Sequence, residues 1–151
     1  MKLDHEVREA MDAAHRYALL RGWRSIDAAR VLLALMDTEA FREYMRTHKI
    51  DSESFRRNVD SIPHGGYPGT TGRKVATDQL PLTPSIQSAM RHATQLAMTR
   101  TVVTDVADCV VTVPCLVAGI ACHGEPVIGA LLSGVGLEYE QARRWCSEPS
   151  S

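Results

Sequence analysis

The feature that most constrains this chain is an internal repeat. Two stretches, 3–14 and 82–93, carry the same order of apolar and alanine positions, displaced by a constant 79 residues. Such a repeat indicates that the chain is built from two copies of one structural unit, and this constrains the fold more than any other signal in the sequence. Within each copy the apolar residues recur at intervals of three and four, which is typical of one helix face and not of a strand. The matched pairs are Leu3 and Leu82, Val7 and Ile86, Ala10 and Ala89, Met11 and Met90, Ala14 and Ala93, Ala18 and Ala97, and Arg21 and Arg100.

The first half of the chain is predicted to contain four helices. Asp4 is the expected N-cap of the first, and Gly22 is suited to its left-handed exit. Ser25 is expected to open the second, whose dense apolar run predicts a central, buried helix. Asp51 or Ser52 is expected to cap the fourth, which carries inward-facing aromatic and valine side chains. The expected ranges of the first three helices are 4–22, 26–36 and 39–48.

A connector and four further helices are expected next. Residues 62–81 hold three Pro and four Gly without periodicity, which indicates a linker and not a phosphate-binding loop. Thr83 followed by Pro84 is the strongest helix start in the sequence. Between the fifth and sixth helices the offset rises from 79 to 85, an insertion of six in which 104–108 can form an extra turn. The expected ranges are 83–100, 112–121, 125–132 and 138–146, with Gly134 and Gly136 ending the seventh helix and Trp145 anchoring the eighth.

Charge and hydropathy exclude several classes of protein. Seventeen basic and 18 acidic residues give a formal net charge of -1, so there is no overall electrostatic attraction to nucleic acid or to an anionic membrane. The longest apolar run, 109–122, has 14 residues, whereas crossing a bilayer takes about 20. Charges near the N-terminus argue against a secretory signal. A cytoplasmic protein is therefore expected.

Two basic clusters contain tryptophan, 21–24 and 143–145, and an indole beside Arg can stack on nucleic-acid bases. More often such a Trp fills the edge of a core while Arg covers it. The near-neutral charge favours that interpretation, and nucleic-acid binding is kept as the second alternative.

The cysteines Cys109, Cys115, Cys122 and Cys146 lie in apolar segments without a Cys-x-x-Cys pair. This pattern predicts small buried side chains in a reducing compartment. Three of them with His123 are conceivable metal ligands, but Cys115 and Cys122 would be about 10 Å apart along one helix. No metal site is therefore predicted.

Possible catalytic pairs are also weak. Asp12 and His15 lie three residues apart on one helix, which is a common surface arrangement. Cys115 has no base in its own helical turn, so its pairing with His123 is unsupported by spacing. A protein without catalytic activity is expected.

The repeated segments, in their order, resemble the double Clp-N motif, the N-terminal domain of the Clp family of AAA+ unfoldases. The matching pieces are 3–14, 26–36 and 44–51 in the first copy and 82–93, 111–121 and 131–138 in the second. The resemblance implies an all-α fold of eight helices in two pseudo-twofold four-helix repeats. It implies a single domain over 1–151, with repeat one at 3–61, a linker at 62–81 and repeat two at 82–147.

The resemblance also implies a function. In such enzymes this domain recruits protein substrates or adaptor proteins for ATP-dependent unfolding and proteolysis, and it performs no chemistry and needs no cofactor. No Gly-x-x-x-x-Gly-Lys-Ser/Thr motif for an ATPase occurs in these 151 residues. The chain is therefore expected to be either a domain of a longer unfoldase or a free-standing relative that captures clients or acts as a decoy.

One site residue carries over from the resemblance. Thr83 matches the Thr that begins the first helix of each repeat in relatives that read phosphorylated arginine, and it is the predicted partner-binding residue. The accompanying Glu is replaced by Pro114 in copy two and by Ala29 in copy one, where Asp4 also replaces the Thr. Phosphoarginine recognition is therefore not expected, and a groove for a protein segment is expected instead.

Overall fold

A computed structural model describes residues 2–23, 25–63, 82–101, 109–123 and 126–147. Within these ranges the fold is all-α, as predicted, with eight helices and one pair of two-residue strands. The helices are α1 His5–Leu20, α2 Ala28–Leu35, α3 Glu39–Thr47, α4 Ser52–Asp60, α5 Pro84–Thr101, α6 Val113–His123, α7 Pro126–Gly134 and α8 Tyr139–Ser147; the strands are β1 Lys2–Leu3 and β2 Val110–Val111. Most of the predicted linker, 64–81, and the predicted extra turn at 104–108 lie outside the described residues.

The helix boundaries repeat as closely as the sequence does. The first residue of α5 follows that of α1 by 79 positions, and α6 follows α2 by 85. The starts of α7 and α8 follow those of α3 and α4 by 87. The predicted insertion of six after the first helix of repeat two is thus confirmed, and two further residues are inserted before its third helix.

The helix ends correct two predictions and confirm two. Gly22 has a positive φ of 71°, as its expected role at the exit of α1 requires. Asp51 caps α4 by accepting from the Ser54 N–H at 3.2 Å. Asp4 precedes α1, but its carboxylate makes no cap bond and lies 3.3 Å from His5 Nδ1 instead. The second helix begins at Ala28, later than expected, because Asp27 and not Ser25 supplies its cap.

The core is built from the repeated faces. In α1 and α5 the buried positions correspond one to one, and α2 and α6 are the central, buried helices that were expected. Helix α6 contacts α5 and α8 most extensively, and it also reaches α2 and α3 in the other repeat. The matched buried residues are Val7, Ala10, Ala14 and Ala18 in α1 and Ile86, Ala89, Ala93 and Ala97 in α5.

Short parallel strands, which the sequence analysis does not predict, tie the two repeats together. The β1 strand before α1 pairs with β2 before α6, and Leu82 before α5 pairs with Ile26 before α2. The bonds are equivalent: the Asp4 N–H donates to the Val111 carbonyl at 2.9 Å, and the Thr83 N–H donates to the Ile26 carbonyl at 3.1 Å. Each repeat therefore sends its leading segment into the other, which makes the halves interdependent.

The cysteines depart from the prediction of four buried, reduced side chains. Cys109 is buried with a free thiol that donates to the Thr94 carbonyl, whereas Cys115 of α6 and Cys146 of α8 are joined in a disulfide. Cys122 is exposed at the end of α6. Sequence spacing missed the pairing because the two cysteines are 31 positions apart and meet only where α8 packs against α6.

Candidate docking surface

Repeat one carries a groove between α1 and the start of α3, with a volume of about 660 Å³. Glu6 helps to form it, because its Oε2 accepts from the Ala40 N–H at 3.3 Å and so ties α1 to α3. Thr38 caps α3 beneath the groove, accepting from the Phe41 N–H at 3.3 Å. We call this the acidic groove; it is lined by His5, Glu6, Glu9, Ala10, Asp12, Ala13, Arg16, Ala34, Asp37, Thr38, Glu39 and Arg42.

A second concavity adjoins the acidic groove and is more apolar. It measures about 370 Å³ and lies among α1, α2 and α4. The two share Ala13, Ala34 and Asp37, so they form one continuous surface on repeat one. An ion pair between Asp37 and Arg56 borders it. We call this the apolar cleft; it is lined by Ala13, Ala14, Tyr17, Arg30, Leu33, Ala34, Asp37, Arg56 and Asp60.

The floor of the apolar cleft is held by a buried arginine. Arg30 is 6% exposed, and its Nη2 donates to the Ile62 carbonyl at 2.7 Å. Its guanidinium also lies 3.9 Å from the Asp27 carboxylate and 4.9 Å from the centre of the Trp23 ring. Asp27 in turn accepts from the Arg30 N–H as the cap of α2. These contacts fix the end of α4 against α2, which gives the cleft a rigid base.

A third cavity, of about 500 Å³, lies between the repeats where α4 faces α7. Its walls come from the α3–α4 turn, from α4 and from α7, so it belongs to both halves. The lining residues are His48, Lys49, Ile50, Asp51, Ser54, Phe55, Asn58, Ala130, Leu131, Gly134 and Val135.

The predicted partner residue, Thr83, lies at the start of α5 and is 7% exposed. Its Oγ1 is 3.2 Å from the Ser85 hydroxyl, and its backbone bonds Ile26 of the other repeat. It therefore lies apart from the acidic groove and the apolar cleft, and its role in binding stays a prediction. Of the substituted positions, Ala29 is buried in α2 and Pro114 is half-buried in the first turn of α6.

Both tryptophans pack at the edge of the core, the arrangement that the sequence analysis favours over base stacking. Trp23 lies edge-on to Tyr17, with ring centroids 5.5 Å apart. Trp145 packs on Phe41 at 5.6 Å and on Tyr44 at 4.4 Å, so it anchors α8 as predicted. Engaged rings of this kind leave less indole surface for stacking on bases.

The candidate catalytic pairs gain no support. The thiol of Cys115 is consumed in the disulfide with Cys146, so it is no nucleophile for His123 to activate. Asp12 is exposed on α1, one turn from His15.

A cluster that sequence reasoning missed lies in repeat two. His92 of α5 meets Cys122 and His123 of α6, with one ligand atom of each residue within 4.8 Å of the others. Burial, followed by the nearby charge of His123, lowers the pKa of His92. Burial, followed by Cys122, raises the pKa of Tyr139, whose hydroxyl lies 2.7 Å from His92 Nε2. The only sequence signal was the adjacent Cys-His pair, because His92 is 30 residues earlier.

The described helices include none with the length and continuous apolar character that crossing a membrane requires. The family described as the Clp repeat N-terminal domain matches residues 2–135. This chain belongs to that Clp N-terminal domain family. No curated protein sequence matches the chain.

Two solved structures share the Clp-N fold over nearly the whole chain. One comes from structural investigations of a malarial protein secretion system, with 12% identity, a TM-score of 0.73, and coverage of 97% of this chain and 92% of that one. The other is the N-terminal domain of the caseinolytic protease associated chaperone ClpD from Arabidopsis thaliana. It has 14% identity, a TM-score of 0.62, and coverage of 96% and 92%. At these identities the likeness is one of fold.

Proposed function

We propose that this Clp-N domain is a docking module that presents protein substrates, or an adaptor that carries them, to a Clp-type ATP-driven unfoldase in protein quality control. The observation that carries the proposal is the continuous surface of acidic groove and apolar cleft on a chain of this family. In this proposal the domain binds and releases protein, and it needs no catalytic residue or cofactor.

The chemistry of the surface indicates the kind of segment that binds. The acidic groove contains five carboxylates against two arginines, so it attracts basic side chains. The apolar cleft offers alanine, leucine and tyrosine surface to an apolar anchor. Apolar anchors in a helix-lined groove are a recurring mode of peptide recognition. We expect the preferred ligand to be a protein segment in which a basic residue accompanies an apolar one.

The remaining parts of the proposal concern the domain bounds, the compartment and the partners. We propose one Clp-N domain over 1–151, with repeat one at 3–61, a linker at 62–81 and repeat two at 82–147, in the cytoplasm and without nucleic-acid or membrane partners. Thr83 is proposed as a second, peripheral contact, because it immediately precedes α5 where repeat two meets repeat one.

The test is binding of fluorescent peptides, with and without a basic residue beside an apolar one, followed by anisotropy. Ala13→Arg fills the place where groove and cleft meet, so we expect at least tenfold weaker binding, about 1.4 kcal/mol. Leu20→Arg is the matched control, since Leu20 is 86% exposed on the same helix and lines neither concavity. Equal affinity for both variants and the parent would contradict the proposed surface. Thr83→Val tests the peripheral contact in the same assay.

The free-standing and attached alternatives differ in native mass. An immunoblot of the source cell distinguishes a 16.6 kDa product from a larger one that contains an ATPase. For a free-standing product, a decoy slows degradation of a client by the unfoldase when added in excess, whereas a delivery factor accelerates it.

A further inference from the structure

The cluster in repeat two has the composition and spacing of a metal site. We propose that His92, Cys122 and His123 form a three-ligand site for a divalent cation of the zinc class, with the Tyr139 hydroxyl as a positioning group. This site is independent of the proposed docking function and lies in the other repeat.

Distances between the ligand atoms suit a small tetrahedral ion. His92 Nδ1 and His123 Nε2 are 3.4 Å apart. With metal–nitrogen bonds of about 2.1 Å, two nitrogens of a tetrahedral zinc site are also roughly 3.4 Å apart. The Cys122 sulfur lies within 4.8 Å of one ring nitrogen of each histidine. It is exposed, so its side chain is free to rotate toward an ion held between the two rings. The three protein ligands leave a fourth position for water or for a group from a partner.

Tyr139 is placed to accept a hydrogen bond from the His92 tautomer that such a site requires. Its hydroxyl is 2.7 Å from His92 Nε2. When that nitrogen carries the proton and donates to the phenol oxygen, Nδ1 presents its lone pair toward His123. Metal-binding histidines almost always donate their other N–H to a neighbouring acceptor in this way. The ring orientation is therefore set by α8 before any ion binds.

Backbone electrostatics also favour a cation here. Cys122 and His123 occupy the last turn of α6, where the helix dipole presents its negative end. His92 approaches from α5, the helix with which α6 makes its most extensive contact. Two ligands thus come from a helix terminus and the third from a rigidly packed neighbour.

The repeat supplies an internal comparison. The positions equivalent to His92, Cys122 and His123 in repeat one are Ala13, Asp37 and Thr38, and all three line the acidic groove. The backbone therefore brings these positions together in both halves, and only repeat two equips them with nitrogen and sulfur ligands. Cys and His select zinc-class ions, whereas carboxylates and carbonyls suit Mg²⁺ and Ca²⁺.

The test is a Co²⁺ titration of the tag-free full chain, previously stripped of metal, with absorption spectra as the readout. We expect one saturating equivalent and a thiolate-to-cobalt charge-transfer band, which Zn²⁺ abolishes because its filled d shell gives no such absorption. Cys122→Ser is expected to remove the band. His92→Ala and His123→Ala are expected to weaken binding at least tenfold, and Tyr139→Phe about tenfold with the band retained.

His5→Ala is the matched control, because it removes an exposed histidine of α1 far from the cluster in sequence and is expected to leave cobalt affinity unchanged. Circular dichroism of each metal-free variant shows whether it is folded. Absence of the band in the folded parent chain, or its persistence in Cys122→Ser, would overturn the proposal. An equal loss of affinity in His5→Ala would also overturn it.

Discussion

The second and fourth helices of each repeat are joined in two different ways. In repeat two, Cys115 of α6 and Cys146 of α8 form a covalent bond. In repeat one the equivalent positions are Arg30 of α2 and Val59 of α4, and there the Arg30 guanidinium reaches past α4 to the Ile62 carbonyl. The second and fourth helices of repeat two are thus linked by a disulfide. In repeat one, a buried, charge-assisted hydrogen bond links the second helix to the segment that follows the fourth.

The largest loss of stability is expected from removing the Arg30 guanidinium and its buried hydrogen bond to the Ile62 carbonyl. Arg30→Ala removes the bond to Ile62, the contact with Trp23 and the ion pair with the buried Asp27, so we expect a loss of about 3–5 kcal/mol in the free energy of unfolding. Urea denaturation measures it. The control is Arg46→Ala, whose exposed pair with Glu43 contributes less than about 1 kcal/mol. A similar loss of unfolding free energy in both variants would show that the Arg30 contacts do not stabilise repeat one more than an exposed ion pair does.

Reduction of the disulfide is expected to cost slightly less. A bond that closes a loop of 31 residues stabilises by about 3–4 kcal/mol through the entropy of the unfolded chain. Thermal unfolding with and without reductant measures the difference. Cys122→Ser is the control, since Cys122 is outside the bond. A thiol count of four in the untreated protein, in place of two, would refute the pairing.

The contact between the first two helices also differs between repeats. Gly119 of α6 lies against the Ala89 carbonyl of α5, where an added Cβ would overlap that oxygen, whereas the equivalent residue in α2 is Ala34. Gly119→Ala is expected to cost about 1–3 kcal/mol through overpacking. Ala34→Gly is expected to cost about 1 kcal/mol through helix propensity alone. Chemical denaturation of both variants tests the asymmetry, and a stabilised Gly119→Ala would refute it.

A smaller effect is expected at the turn after the third helix of each repeat. Lys49 has a φ of 54° and its counterpart Gly136 a φ of 76°, so only repeat two uses the residue suited to this left-handed geometry. Lys49→Gly is expected to stabilise by up to about 1 kcal/mol, and Gly136→Ala to destabilise by about 1 kcal/mol. Thermal unfolding of both variants checks the opposite signs, and equal signs would contradict the equivalence.

The smallest effect is expected in the pH dependence of stability. His92 contributes to it in repeat two, whereas the equivalent residue in repeat one is Ala13, which does not titrate. Burial and the neighbouring His123 lower the pKa of His92 below its ordinary value of 6.5 in the folded state. The unfolded chain therefore binds more protons as the pH falls through 6.5, and stability decreases in that direction. Denaturation of metal-free protein at pH 7.5 and about 5.5 should show a smaller decrease for His92→Gln. An identical decrease would argue against this origin.

Local patterns along the chain were sufficient to predict the helices and their order. The apolar periodicity within each copy of the repeat, Gly22 and the Thr83–Pro84 start are all signals that span only a few residues, the range over which capping and helix periodicity are determined. The buried character of α2 and α6 likewise follows from their apolar composition. The caps at Asp4 and Ser25 were mispredicted because several polar residues lie near the start of each helix. Which of them caps the helix depends on the backbone conformation of the folded chain.

The pairing of elements was decided only by the tertiary structure. The exchange of leading segments, the Cys115–Cys146 bond, the surface of repeat one and the cluster around His92 all join residues distant in sequence. No periodicity encodes such pairs, because they depend on how α6 packs against α5 and α8. Local sequence thus determined which helices form, and long-range packing determined which side chains meet and where this protein can bind a partner or an ion.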